Sequence, residues 1–145
     1  MSDIKEIWSN FDGSQEPEEN IPFKILEAQS NAINKHKEGN EVYSTIVTSS
    51  GDGMSYVRHV LYLLPLYGNG YNYRYIEFTQ PVDNIYPVTI RAFQAGNTEF
   101  GVVTREVGET GIYQTLELIF GDRRTQIVLE QLKSIGRSIK EWKEE

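Results

Sequence analysis

Apolar positions change their spacing twice along this chain, dividing it into helices, a run of strands, and helices again. Ile4, Ile7, Trp8 and Phe11 follow the i, i+3, i+4, i+7 spacing of one helical face. With Ser2 or Asp3 as cap and Gly13 as stop, they predict a short amphipathic helix. The stretch SQEPEEN, residues 14–20, is polar and broken by Pro17, which marks a loop. A second helix is predicted from Pro22 to Gly39, with Ile25, Leu26, Ala32 and Ile33 facing inward. Proline is tolerated in a first helical turn because its missing N–H needs no partner there.

From Glu41 the period falls to two. EVYSTIV, YVRHVLYLLPL and IYPVTIRAF are rich in β-branched and aromatic residues, and SSGDG, Asn69-Gly70 and PVDN are turn clusters. With LYGNGYNYRYIEF (66–78) they predict an antiparallel meander of four strands, to which EFGVVT (99–104) adds a short fifth. The helical period returns after Gly108, where Ile112, Tyr113, Leu116, Ile119 and Phe120 share a face. Gly121 ends that helix and Asp122 caps the next. In the last helix Val128, Leu132, Ile135, Ile139 and Trp142 form a continuous apolar stripe, expected to pack on the sheet. Arg123 and Arg124 follow the cap, where positive charge opposes the helix dipole, so they are expected to fold back on Asp122 or on the acidic N-terminal segment. The fold class is α+β: N-terminal helices, a four- to five-stranded antiparallel meander, and two C-terminal helices on one sheet face.

Register decides which side chains the helices cover. A two-residue loop at Asn69-Gly70 opposes Leu66 to Tyr73, Leu64 to Tyr75 and Tyr62 to Glu77. Val60, Tyr62, Leu64 and Leu66 then share a face with Tyr71, Tyr73 and Tyr75, and an even turn at Pro81–Asn84 adds Tyr86, Val88, Ile90 and Ala92. So apolar a face requires a cover, which makes the tyrosines core residues. The opposite face carries His59, Leu61, Leu63, Arg74, Ile76, Phe78, Thr89, Arg91 and Phe93. Arg74 and Arg91 fall near one another across the ladder and need a counter-charge, from Glu16, Glu18 and Glu19 or from an acidic partner.

At 145 residues the chain fits one domain, with residues 1–21 as an acidic leading segment and 22–145 as the compact core. Residues 1–21 hold six acids and one lysine, against six bases and five acids in 122–145. A net charge of −7 repels phosphate backbones, so nucleic acid is not an expected partner. No apolar run is long enough to span a bilayer, and a cytoplasmic protein without membrane contact is expected. Without cysteine there are neither disulfides nor thiolate metal sites. His36 and His59 lie on different elements without ligand spacing, so no metal is expected. No serine sits in a nucleophile elbow, and SSGDG lacks the lysine of a phosphate loop, so neither catalytic residue nor cofactor is assigned.

These readings point to a non-catalytic protein-interaction module, such as an adaptor, chaperone-like or inhibitor protein. Its expected binding surface is the helix-free sheet face, with His59, Arg74, Ile76, Phe78, Arg91 and Phe93 as contact residues. Self-association through that face or the last helix belongs to the same expectation. The alternative is a small ligand-binding protein or enzyme that gathers His59, Arg74 and Arg91 in a pocket around an anionic substrate.

Overall fold

The computed structural model describes residues 19–51, 55–67, 71–94 and 98–144. The helix expected at residues 4–11, the acids Glu16 and Glu18, and the Asn69-Gly70 turn lie outside the described residues. The remainder is the expected α+β arrangement. Helix α1 (Ile21–Lys35) and one further helical turn, α2 (Lys37–Asn40), precede five strands: β1 (Val42–Gly51), β2 (Tyr56–Pro65), β3 (Tyr73–Pro81), β4 (Val88–Gln94) and β5 (Thr98–Val107). Helices α3 (Glu109–Gly121) and α4 (Arg123–Glu144) complete the chain. The sheet is an antiparallel meander in the order β1-β2-β3-β4-β5, and its fifth strand is ten residues long.

Helix α1 starts where Asn20 accepts a hydrogen bond from the Phe23 amide at 3.2 Å, with Pro22 in its first turn. It buries Ile25 and Leu26 against the sheet, whereas Ala32, expected inward, is exposed. Polar side chains dock its second half. Asn34 accepts from the Ser44 amide at 2.7 Å and donates to the Ser44 carbonyl at 3.0 Å, while the Ser30 and Ser44 hydroxyls meet at 2.7 Å. Asn34 thereby satisfies backbone groups on the edge strand β1 and blunts that edge against pairing with another chain.

The described helices α1, α3 and α4 lie on one sheet face and share one core. Leu61, Leu63, Ile76, Phe78, Val88, Ile90 and Ala92 supply the sheet side; Leu26, Ile112, Leu116, Ile119 and Leu132 supply the helices. Tyr113 and Phe120, expected on the inner face of α3, are exposed. In α4 the predicted stripe buries only Leu132 fully, and the sheet contact also runs through Thr125 and Gly136. A Cβ on Gly136 would stand 3.1 Å from Cβ of Pro65, so glycine sets how closely α4 approaches β2. Arg124 folds back on Asp122 as expected, donating from Nε at 2.9 Å and Nη2 at 2.8 Å, while Asp122 caps the Arg124 amide at 2.8 Å.

The expected β2–β3 register is displaced. Leu63 opposes Tyr73, Tyr62 opposes Arg74, Leu61 opposes Ile76 and Val60 opposes Glu77, with a bulge that leaves Tyr75 as the extra residue. A shift of one residue exchanges the faces of a strand, and the odd numbers of β2, not the even, enter the core. The bulge restores phase within β3, so Tyr75 and Ile76 both face the helices. Arg74 and Glu77 emerge together on the other side.

Candidate functional site

Three arginines from three strands converge on one carboxylate on the helix-free face. Glu77 sits at the centre of β3, directly across from Val60 in β2 and Arg91 in β4. Only 1% of it is exposed, although no described helix covers that face. Its shield is made of neighbouring side chains. Oε1 accepts from Arg74 Nη2 and lies 3.0 Å from Arg58 Nε, and Oε2 lies 3.9 Å from Arg91 Nη1. The Arg74 guanidinium also covers the Phe93 ring, 4.5 Å from its centroid, burying Phe93 on the same face.

Three guanidinium groups approach the Glu77 carboxylate, within a chain of net charge −7. The arginine side chains remain 34%, 30% and 45% exposed for Arg58, Arg74 and Arg91. Nε of Arg58 and Nε of Arg74 are buried without a hydrogen-bond acceptor; the 3.0 Å approach of Arg58 Nε to Glu77 is an ion pair of poor hydrogen-bond direction. Thr45, Val47 and Tyr62 continue this surface across β1 and β2. Such a surface can hold an anionic group against a mixed apolar and hydroxyl floor.

A comparison with protein-family models, curated proteins and solved structures finds no match to this chain.

The expected contact residues divide between the two faces. Arg74, Arg91 and Phe93 lie on the helix-free face as anticipated. Ile76 and Phe78, expected beside them, are 0% exposed in the core beneath the helices, because the β2 register and the bulge at Tyr75 turn them inward. His59 is also on the helix side: its ring lies 4.9 Å from that of Phe23 in α1, and its Nδ1 is 2.8 Å from the Thr48 hydroxyl. The sheet therefore separates His59 from Arg74 and Arg91, and no pocket gathers the three. Burial holds the imidazole below the usual histidine range, an effect opposed by neighbouring Gln80. Glu77 supplies a counter-charge to the arginines from within the sheet, Glu19 lies 3.5 Å from Lys24, and Glu16 and Glu18 lie outside the described residues.

Arg58 is the member of the cluster that the sequence reading missed. With the true register it opposes Thr79 and shares the outer face with Val60 and Glu77. A second feature lies on the other side of the molecule, where α4 and the start of β3 leave an apolar groove of about 500 Å³ between Tyr71, Tyr73, Ile127, Val128 and Ile135. Burial and the neighbouring Tyr71 push the Tyr73 hydroxyl up to about 12, and it donates to the Phe93 carbonyl at 2.5 Å. Among the described residues no three His, Cys, Asp or Glu side chains could hold a metal ion, and no helix is long and apolar enough to cross a membrane.

Proposed function

We propose that this chain is a non-catalytic protein-interaction module of the cytoplasm, an adaptor, chaperone-like or inhibitor protein, that docks an acidic segment of a protein partner on its helix-free sheet face. The observation that supports this reading is the convergence of Arg58, Arg74 and Arg91 on Glu77, which sets three partly exposed guanidinium groups beside Val47 and Tyr62. A carboxylate-bearing partner can pair with the exposed edges of these guanidinium groups, since arginine forks recognise carboxylates in a fixed plane. Apolar and hydroxyl side chains around them give the partner a surface to desolvate. An anionic substrate handled by His59 with Arg74 and Arg91 lacks a shared cavity, because His59 lies on the opposite face of the sheet.

Binding to an array of acidic peptides, followed by capture of the native partner from the host, tests the reading. Wild type should retain a subset of peptides, and the Arg58→Glu, Arg91→Glu variant, shown to be folded, should lose them. Binding should weaken steeply with added salt, as expected for exposed charges. Equal retention by wild type and the charge-reversed variant would discard this face as the docking surface.

A further inference from the structure

Helix α4 carries a seam of mixed apolar and polar residues that the described residues leave partly uncovered. Its sheet-facing side runs through Thr125, Leu132 and Gly136. About a quarter-turn around the helix, Arg124, Val128, Gln131, Ile135, Ser138 and Trp142 recur at intervals of 4, 3, 4, 3 and 4 residues, the spacing of a seam between two helices. The first four of these residues line the 500 Å³ groove beside Tyr71 and Tyr73. The last, Trp142, is 75% exposed, the most exposed large apolar side chain among the described residues.

We infer that the chain forms a two-fold homodimer in which the α4 helices pack antiparallel and each Trp142 enters the partner's groove. The seam is self-complementary only in that sense. Pairing Trp142 with the partner's Arg124 also pairs Ser138 with the partner's Val128 and Ile135 with the partner's Gln131, since each pair of residue numbers has the same sum. Every large apolar seam residue thus meets a small or polar one, which lets the helices approach. A parallel pairing would set Arg124 against the partner's Arg124 and Trp142 against the partner's Trp142, placing like charges together. The antiparallel sense instead brings Glu141 towards the partner's Arg123 and Arg124.

The site is prepared to receive an indole. Asp122 holds the Arg124 guanidinium through two hydrogen bonds, fixing a planar cation on which an aromatic ring can stack. Ile127, itself 46% exposed, and Tyr71, 45% exposed, flank it. A cavity of about 500 Å³ is of the size that encloses a small ligand, and one tryptophan buries about 150–250 Å². Two such insertions, the groove walls they cover and the seam between the helices add together in one continuous two-fold interface. This surface is distinct from the arginine cluster, so dimerisation and partner docking are separable.

Sedimentation equilibrium of the full chain, wild type against Trp142→Glu, tests the inference. Wild type should sediment as a dimer, and Trp142→Glu, with an unchanged circular dichroism spectrum, should weaken association about 1,000-fold, because each dimer loses two aromatic anchors. The chain has no cysteine, so disulfide trapping gives a second readout. A mixture of Val128→Cys and Ser138→Cys chains should cross-link to each other, and Ser138→Cys alone should not. A wild-type chain that is monomeric at about 1 mM overturns the proposal, as does a dimer that survives Trp142→Glu or a self-linked Ser138→Cys chain.

Discussion

Replacing Glu77 with glutamine removes the carboxylate on which three arginines converge while keeping the volume of the side chain, so its effect reports charge and not packing. Breaking a buried ion pair by deleting one partner costs about 3–5 kcal/mol. Here the carboxylate side chain is 2% exposed, but the arginines are 34%, 30% and 45% exposed, so water screens the cations that are left behind. The expected loss is therefore roughly 2–3 kcal/mol, below the fully buried figure and above the ~0–1 kcal/mol of a surface pair. Urea unfolding measures it without adding ions, and the midpoint should fall by about 1–2 M at unchanged slope. Added salt should recover stability in Glu77→Gln more than in wild type, because the three guanidinium groups then repel one another unscreened. A variant within ~0.5 kcal/mol of wild type would mean that the arginines do not depend on Glu77, and the cluster would lose its meaning as a charged site.

Other regions give independent tests. His59 is held below its ordinary range, so the unfolded chain binds more protons and stability should decline as pH falls below about 6.5 towards the folded value, with His59→Gln flattening that decline in pH-dependent urea unfolding. Asp122 is lowered to about 2 by its hydrogen bonds to Arg124, so its contribution should persist above about pH 4 and disappear as pH approaches 2; Asp122→Asn should make acid unfolding shallower there. Thr125 donates its single hydroxyl hydrogen to the Ile119 carbonyl at 2.6 Å, leaving Tyr75 as the donor in the 2.7 Å contact with Thr125, and Tyr75→Phe should cost about 1 kcal/mol by denaturant titration. A Cβ on Gly111 would fall 2.7 Å from Cβ of Val107, so Gly111→Ala should lower the thermal midpoint, at a cost of about 1–3 kcal/mol, despite alanine's better helix propensity; a raised midpoint would show that the β5–α3 junction yields.

The element order was legible because each period is long enough to declare itself: Ile112, Leu116 and Ile119 bury the face that their spacing predicts, and Val88, Ile90 and Ala92 alternate into the core. Register was not legible, because a hairpin pairing depends on its loop and on any bulge, neither of which changes the alternation of apolar residues within a strand. The stretch from Val60 to Leu64 is apolar at odd and even positions alike, so Leu61 and Leu63 could exchange faces with Val60, Tyr62 and Leu64 without breaking a local rule. Side chains sensitive to that choice were therefore misplaced together, Ile76 and Phe78 among them. The α4 stripe was misread for a related reason. A helix packed at one end of a sheet need bury only part of an apolar arc, and Trp142 continues that arc into solvent.

The bulge at Tyr75 links these separate regions. With both Tyr75 and Ile76 turned towards the helices, Tyr75 reaches Thr125 and helps hold the start of α4 beside β3, where Tyr71 and Tyr73 complete the apolar groove. On the opposite side, the same extra residue changes the phase of β3 so that Arg74 and Glu77, three residues apart, face the same way and pair. In a regular strand two residues three apart point to opposite faces, and Glu77 would meet Arg58 and Arg91 without Arg74. Deleting Tyr75 therefore threatens the Arg74–Glu77 pair and the groove together, whereas Tyr75→Phe keeps the bulge and removes only a hydroxyl. Retention of acidic-peptide binding by Tyr75→Phe, combined with its loss in the deletion, would locate the contribution of this position in backbone phase and not in tyrosine chemistry.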